Sequence, residues 1–339
     1  MTSSGRAVML AAPGRVEVGA LKLAEVSPLD AVIRVEASGV CGTDVAIVRG
    51  IPPVSPGRVL GHEGAGVVKS APKGSPLEVG TPVVVDPTIA CGSCTACREG
   101  RGNLCLRGGI LGREFEGVFA DEAVVPVANL YPLPAEVRLA DAPLLQVLST
   151  VVHAQLQVEV VPSRLAAVIG LGCTGQLHAQ LLAHRGARVL GVSRSAGKRE
   201  LGARLTCEWT AAPDDAAAAV AEHSALDGAD LVVECSGTLA GLDQALSLVR
   251  AGGTILAYGV QTETEGQLAF YQLYKKEILL VNSRASLPRD MTLAIDLTVT
   301  GALQLAPLVT DRLPLEAAAD AIERSAAGSL KVLMDHGNH

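Results

Sequence analysis

The sequence is poor in aromatic residues, in basic charge and in long apolar runs. Phe, Trp and Tyr together make up 2% of its 339 residues, so aromatic platforms on which bases or sugar rings could stack are not available in number. The formal net charge is -7, and acidic and basic residues are interspersed along the chain. Since no basic stripe could neutralise a phosphate backbone, nucleic acid is not an expected partner.

No segment is typical of membrane insertion or export. The longest apolar stretch, around residues 292–309, is interrupted by Asp296 and is too short on either side to span a bilayer. The stretch MTSSGRAVMLAAPGRVEV lacks a basic start followed by an apolar core. We therefore expect a cytoplasmic protein with no membrane partner, in which clustered cysteines indicate metal binding or catalysis more than disulfides.

The order of strand-like and helix-like segments predicts two domains of an α/β protein. Up to about residue 135, short apolar runs such as AVIRVEASGV, GAGVVKS and TPVVVDP are separated by Gly and Pro, a pattern typical of an antiparallel, barrel-like domain. From about Pro162, apolar strands such as LAAVIGLG, ARVLGVS and DLVVECSG alternate with helical segments such as QLHAQLLAHRG and LAGLDQALSLVRAGG. This alternation predicts a doubly wound parallel sheet.

A glycine pattern predicts a dinucleotide-binding turn. Gly170, Gly172 and Gly175 have the spacing G-x-G-x-x-G after an apolar run and before a helix. The first glycine permits a tight turn, the second lets the backbone approach a pyrophosphate, and the third lets the helix pack against the strand. We expect this loop, including Cys173 and Thr174, to bind the cofactor. The alternative is a Gly-rich turn in another kind of α/β sheet.

The next expected cofactor contact lies at the end of the second strand of this unit. An NAD-selective site usually carries an acid there for the ribose 2′-OH, but the sequence has Ser193, followed by Arg194, Lys198 and Arg199. A hydroxyl beside cationic groups suits a 2′-phosphate, so we expect NADP to be favoured over NAD. The alternative is that these basic residues are a solvated helix start.

Four of the eight cysteines lie in CGSCTACREGRGNLC, where a disulfide clip, a redox dithiol and a metal site compete as explanations. Cys91, Cys94, Cys97 and Cys105 have the spacing C-x2-C-x2-C-x7-C, which suits tetrahedral zinc. Disulfides between residues three apart would be strained. We expect a closed structural zinc site, and an iron–sulfur cluster shares this ligand set.

A second candidate metal site comes from SGVCGTD and LGHEGAG. Cys41, His62 and Glu63 offer a thiolate, an imidazole and a carboxylate, a set that can hold zinc and leave one position open to substrate. The alternatives are that Cys41 is a small buried residue and that His62 is a hydrogen-bonded turn residue.

These motifs, in this order, resemble the zinc-containing medium-chain dehydrogenases/reductases, in particular the polyol, sugar and threonine dehydrogenases. The resemblance runs from VEASGVCGTD and LGHEGAGVV through the four cysteines, GLGCTG and VVECSG to APLVTDRLPLEAAADAIE. It implies a GroES-like catalytic domain from residues 1–137 and 285–339, with a structural zinc lobe at about 88–108. Residues 138–284 would form a Rossmann domain for the nucleotide.

The resemblance also implies roles for single residues. Cys41 and His62 would be ligands of a catalytic zinc, with Glu63 able to bind or leave it. Thr43 would relay the proton of the alcohol, and Thr150 would lie next to the nicotinamide. Asp44 would either position this site or serve as a structural hydrogen-bonding group.

Two positions depart from the family pattern. Gln146 stands where the family usually has a third, anionic zinc ligand, although some sugar dehydrogenases of this branch also have glutamine there. Ala46 replaces the histidine that often ends the proton relay. Arg113 and Glu116 could reach a polyhydroxylated substrate, with exposed surface as the alternative.

The expected function is a zinc-dependent, NADP-linked interconversion of a secondary alcohol and a ketone, on a polyol, a sugar or a cyclitol-like small molecule. We expect two zinc ions per chain and a homodimer or homotetramer. One alternative is an NADPH-dependent reductase of activated double bonds, or another atypical member that lacks the catalytic zinc. Another is a nucleotide-binding or redox-sensing protein without turnover.

Overall fold

The computed structural model describes residues 5–260 and 266–337. The chain forms two compact units. The first unit contains the residues up to Ser149, the segment Ser286–Val299 and the residues from Leu305 onward. The second contains Thr150–Ala285 and Thr300–Gln304. The chain therefore passes from the first unit to the second, returns to the first, and adds the short segment Thr300–Gln304 to the second before it continues in the first.

The first unit is built around a seven-stranded sheet. Its order is β16-β17-β3-β4-β5-β9, with β8 also paired to β3, and only β16 and β17 are parallel to each other. Two further pairs, β1 with β2 and β6 with β7, form separate two-stranded sheets. With strands numbered along the whole chain, this unit contains β1 (Arg6–Ala12), β2 (Arg15–Ala20), β3 (Asp30–Val40), β4 (Glu63–Ser70), β5 (Pro82–Val85), β6 (Thr88–Ile89), β7 (Gly109–Ile110), β8 (Glu122–Pro126), β9 (Leu130–Pro132), β16 (Asp311–Pro314) and β17 (Val332–Asp335).

Side-chain alternation gives this sheet its core. In β8, Ala123 and Val125 are buried while their neighbours are half-buried, as the two-residue period of a strand requires. These two side chains pack with Ile33 and Val35 of β3 in one apolar cluster. A second cluster contains Val8 and Leu10 of β1, Phe119, and Val332 and Met334 of the last strand. Residues from both ends of the sequence therefore complete this unit.

The second unit contains a six-stranded parallel sheet in the order β12-β11-β10-β13-β14-β15. The strand order reverses between β10 and β13, and the carboxyl ends of strands at such a point form the usual ligand crevice. The fold class predicted from the sequence is confirmed. The strands are β10 (Leu165–Ile169), β11 (Arg188–Val192), β12 (Trp209–Ala211), β13 (Ala229–Glu234), β14 (Val249–Ala257) and β15 (Leu279–Asn282).

Alternate residues of this sheet pack on its two faces. Ala167 and Ile169 belong to one apolar cluster, whereas Ala166 and Val168 belong to another. Every residue of β10 is buried. Burial on both faces explains why the strand is a continuous apolar run in the sequence.

The helices connect these strands. One predicted helix, LAGLDQALSLVRAGG, ends at Leu248, and Val249 already begins β14. Arg250 donates to Asp230 of the neighbouring strand, and Gly252 has φ +66, which is incompatible with a continued helix. The helices are α1 (Gly42–Val48), α2 (Thr95–Arg98), α3 (Pro143–Gln155), α4 (Cys173–His184), α5 (Ala196–Leu205), α6 (Ala216–His223), α7 (Leu239–Leu248), α8 (Phe270–Lys275), α9 (Pro288–Val299) and α10 (Ala318–Ala326).

None of the helices in the described part of the chain has the length and apolar character that a membrane crossing requires.

Candidate active site, metal centre and cofactor loop

The four predicted cysteine ligands meet in one small lobe. Their Sγ atoms all lie within 4.8 Å of one another, with 3.5 Å from Cys94 to Cys97 and 3.8 Å from Cys94 to Cys105. Tetrahedral zinc with Zn–S bonds of about 2.3 Å places its sulfurs about 3.8 Å apart, whereas a disulfide joins sulfurs at about 2.05 Å. The donor set therefore fits a single zinc ion and does not form disulfides.

The environment of these thiols also favours a cation. Hydrogen bonds from the backbone, chiefly at Ser93, lower the pKa of Cys91 to about 5. Desolvation and the neighbouring sulfurs instead raise the pKa of Cys97 to about 11. Four thiolates at these distances would repel one another, so a divalent ion would be needed for all four to ionise together.

The second predicted site lies where the end of β3 pairs with the start of β4. Gly39 of β3 pairs with Glu63 at the start of β4, and Cys41 follows β3 directly as the residue before α1. This register brings one ligand atom each of Cys41, His62 and Glu63 within 4.8 Å of one another. The site predicted from two separate motifs is thus assembled by the pairing of two strands.

Asp44 organises both motifs. Its Oδ2 accepts a hydrogen bond of 2.9 Å from the backbone N–H of Cys41, and its Oδ1 lies 3.3 Å from Nδ1 of His62. Burial lowers the pKa of His62, but the negative charges of Asp44 and Cys41 raise it, and the result is a pKa well above the ordinary value. The same negative field would stabilise a metal cation, and Nδ1 facing Asp44 leaves Nε2 as the donor.

Lys331 is a residue of this site that the sequence motifs did not indicate. Its Nζ donates to both carboxylate oxygens of Glu63, at 2.8 and 2.7 Å, and to the backbone oxygen of Val40 at 3.1 Å. Both side chains are almost fully buried. The signal in the sequence is a single lysine inside the apolar run LKVLM, since a lysine is rarely buried without a partner.

The other predicted residues of the catalytic domain have these surroundings. Thr43 Oγ1 lies 3.8 Å from the sulfur of Cys41. Gln146 is buried on α3, and its backbone oxygen accepts from Ser149; its role as a ligand stays a prediction. Glu116 is held by Arg58 and by the backbone N–H of Val59, so these bonds anchor its loop.

The predicted phosphate loop has the geometry that its glycines suggested. Gly170 follows β10 with φ +90, and Gly172 directly precedes α4 at a position where a Cβ would meet no atom within 4 Å. A Cβ at Gly175 would overlap the carbonyl oxygen of Gly170, so α4 packs directly against the turn. Cys173 and Thr174 form the first turn of α4, whose free N–H groups suit a pyrophosphate.

The residues expected at the ribose lie directly after β11. Ser193 Oγ accepts from the N–H of Ser195, and Arg199 donates to the backbone oxygens of Ser193 and Arg194. Arg194 is exposed, and Lys198 is half-buried in the first turn of α5. Arg199 therefore braces the turn, while Ser193, Arg194 and Lys198 stay the predicted contacts of a 2′-phosphate.

Comparison with known proteins identifies the family. Residues 27–135 match the alcohol dehydrogenase GroES-like domain, and residues 173–300 match the zinc-binding dehydrogenase domain. The chain belongs to the zinc-containing medium-chain dehydrogenases/reductases. It is therefore an oxidoreductase of the alcohol dehydrogenase type.

Individual members of this family resemble the chain over most of its length. A D-altritol 5-dehydrogenase of Agrobacterium fabrum is 31% identical, with 91% of this chain and 92% of that protein covered. A 2-dehydro-3-deoxy-L-galactonate 5-dehydrogenase of Pseudoalteromonas atlantica is 31% identical, with 82% of each covered. The crystal structure of a zinc-binding dehydrogenase from Sinorhizobium meliloti 1021 bound to NADP is 30% identical, with a TM-score of 0.91 over 98% of this chain and 99% of that one.

Proposed function

We propose that the protein interconverts a secondary alcohol and its ketone on a polyol, a sugar or a cyclitol-like substrate, with NADP(H) favoured over NAD(H) and two zinc ions per chain. The observation that carries this proposal is the cluster of half-buried Cys41 with buried His62 and Glu63, next to Asp44. Relatives named for the 5-dehydrogenation of D-altritol and of a deoxygalactonate support the substrate class.

The chain's own residues would divide the chemistry among them. Cys41 and His62 would hold the zinc, which when bound supplies a Lewis acid that lowers the pKa of a hydroxyl and polarises a carbonyl. Asp44, whose Oδ1 lies 3.3 Å from Nδ1 of His62, would orient the ring so that Nε2 is the donor nitrogen. Thr43, beside Cys41, would accept the alcohol proton and pass it to water, to the ribose hydroxyl or to another side chain, because Ala46 has no group to receive it. A bound nicotinamide cofactor would supply the hydride chemistry.

Lys331 offsets one of the negative charges of this site. Because its ammonium group binds both oxygens of Glu63, the negative charge of Glu63 is already balanced. A ligand set of Cys41, His62 and the neutral amide of Gln146 would carry a single negative charge. We therefore expect strong polarisation of the substrate and weak metal retention, compared with a set that has two anionic ligands.

A second candidate function is a zinc-free NADPH-dependent reductase, which the neutral Gln146 favours. A third is a redox sensor without turnover.

Elemental analysis of protein purified with zinc separates these three functions. The dehydrogenase is supported if the wild type contains two zinc ions per chain and if Cys41→Ser and Cys97→Ser each contain one. One ion in the wild type that survives Cys41→Ser supports the reductase. Reversible thiol oxidation without turnover of any polyol supports the sensor.

The cofactor preference is tested by Ser193→Asp. A carboxylate at this position would repel a 2′-phosphate and bind the 2′-OH, so the ratio of kcat/KM for NADP over NAD should fall by at least tenfold. Ser247→Asp, which adds the same charge on the exposed face of α7, is the matched control and should leave the ratio unchanged. An equal ratio in Ser193→Asp and wild type would refute the assignment.

A further inference from the structure

A hydrogen bond at the carboxyl edge of the parallel sheet joins Tyr258 to the residue expected beside the nicotinamide. Tyr258 follows β14 directly, and its Oη lies 2.7 Å from Oγ1 of Thr150 on α3. In a doubly wound sheet each half takes one mononucleotide. Because Ser193 follows β11, the adenosine half belongs to β10–β12, and the nicotinamide half belongs to β13–β15, where Tyr258 lies.

The backbone and the ring of Tyr258 are both fixed. Its backbone N–H donates to the oxygen of Glu234 at 3.0 Å, which ties the end of β14 to the end of β13. Its ring makes an edge contact with the ring of His178, with centroids 4.5 Å apart at 77°. Tyr258 also packs against the apolar cluster beneath α4. The phenol therefore reaches Thr150 from a rigid support.

His178 is itself held in place. Gln155 donates from Nε2 to its ring Nδ1 at 3.1 Å and to its backbone oxygen at 3.0 Å. Burial lowers the pKa of His178 to about 3, so the imidazole stays neutral near pH 7. A continuous set of contacts thus runs from α4, the helix of the phosphate loop, through Tyr258 to Thr150.

These contacts matter for Thr150 because a threonine in a helix has two accessible χ1 rotamers. A bond to a fixed phenol holds the Thr150 hydroxyl at one position. Any group that packs against Thr150 then meets one surface instead of two.

We propose that Tyr258 is a positioning residue for the cofactor: through its hydroxyl it fixes Thr150, and Thr150 in turn fixes the nicotinamide ring. This inference rests on the proposed function, because it takes Thr150 to be the residue beside the nicotinamide. Tyr258 itself needs no contact with the substrate.

The test removes single oxygen atoms and measures binding and emission of NADPH. Tyr258→Phe keeps the ring and its contact with His178. We expect its dissociation constant for NADPH to rise less than threefold, because the phosphate loop is intact, while the emission gained by the nicotinamide on binding falls by at least half. Thr150→Val should give the same loss, and the double variant should lose no more than either single variant. Tyr274→Phe, which removes a phenol hydroxyl from an exposed position, should behave as wild type.

Turnover provides a second readout. On the best substrate from a panel of polyols and cyclitols, kcat of Tyr258→Phe should fall by roughly three- to tenfold, the range of one hydrogen bond, with KM for NADP nearly unchanged. The inference would be overturned if NADPH bound to Tyr258→Phe emitted as strongly as NADPH bound to the wild type. It would also be overturned if the emission lost in the double variant were the sum of the losses in the two single variants. If wild type binds NADPH but oxidises no alcohol, the proposed function fails, and the emission comparison still decides the role of Tyr258. If wild type does not bind NADPH, both fail.

Discussion

At the scale of single residues, Lys331 and Glu63 form the most buried ion pair of the candidate active site. Removing one partner of such a pair leaves the other charge without compensation, which costs about 3–5 kcal/mol. We expect Lys331→Met to lower the free energy of unfolding by about this amount, measured in urea. Lys69→Met, which breaks an exposed pair with Glu122, should cost less than about 1 kcal/mol.

A second variant shows whether the uncompensated charge is the cause. Adding Glu63→Gln to Lys331→Met should recover part of the lost stability, because the buried carboxylate is then absent. If Lys331→Met lowered the free energy of unfolding by no more than Lys69→Met does, the role given to this pair would be contradicted.

The sequence predicted the members of this site unequally, for a physical reason. Cys41, His62 and Glu63 lie in two short motifs whose residue types suit a metal, and strand pairing brings those motifs together. Lys331 lies 268 residues from Glu63 and reaches it because β17 pairs with β3. The lysine inside the apolar run LKVLM indicates a buried charge, but no local pattern identifies a partner that strand register brings from that distance.

At the scale of elements, Gly172 and Gly175 at the turn between β10 and α4 are required for different reasons. Gly172→Ala places a methyl group in open space, so the free energy of unfolding should be unchanged within about 0.5 kcal/mol. Gly175→Ala forces the methyl group into the carbonyl of Gly170, so the same free energy should fall by roughly 1–3 kcal/mol. Both changes should weaken NADPH binding, Gly172→Ala because the methyl group lies where the pyrophosphate approaches. Urea unfolding and NADPH titration of the two variants check this contrast, and equal stability losses would contradict it.

The sequence predicted whether a segment is a helix or a strand more accurately than it predicted the residue at which the segment ends. The strands β10, β11 and β13 each contain a run of apolar residues because both faces of the sheet are covered, and they were predicted as strands. The end of α7 was predicted too late, because apolar residues continue from the helix into β14 without a break. What ends the helix is tertiary: the pairing of β14 with β13 and the bond from Arg250 to Asp230.

At the scale of the whole molecule, each unit contains a buried histidine that resists protonation. Burial lowers the pKa of His336 in the first unit to about 4 and that of His178 in the second to about 3. Both values lie below the unfolded value of about 6.5. Each histidine therefore contributes stability that is present above pH 6.5 and is lost as the pH falls towards the folded pKa.

Between pH 7 and pH 5 this loss should be about 2 kcal/mol for each histidine. Urea unfolding of wild type and His336→Gln at the two pH values measures the contribution in the first unit. The variant should lose less stability on acidification than the wild type. Equal losses in the two proteins would show that His336 does not titrate as its burial implies.

The path of the chain has a consequence for biosynthesis. β3 is among the first strands to be made, yet two of the strands in its sheet, β16 and β17, follow every strand of the second unit in the sequence. Arg6 likewise binds Asp121 and the backbone oxygen of His336. During translation the parallel sheet of the second unit can therefore form before β16 and β17 have been made. At that stage β8 can already pair with the first half of β3, but residues 37–40 of β3 lack the partner that β17 later supplies. A nascent chain stopped in that interval would expose this unpaired end of β3 to chaperones or to other nascent chains.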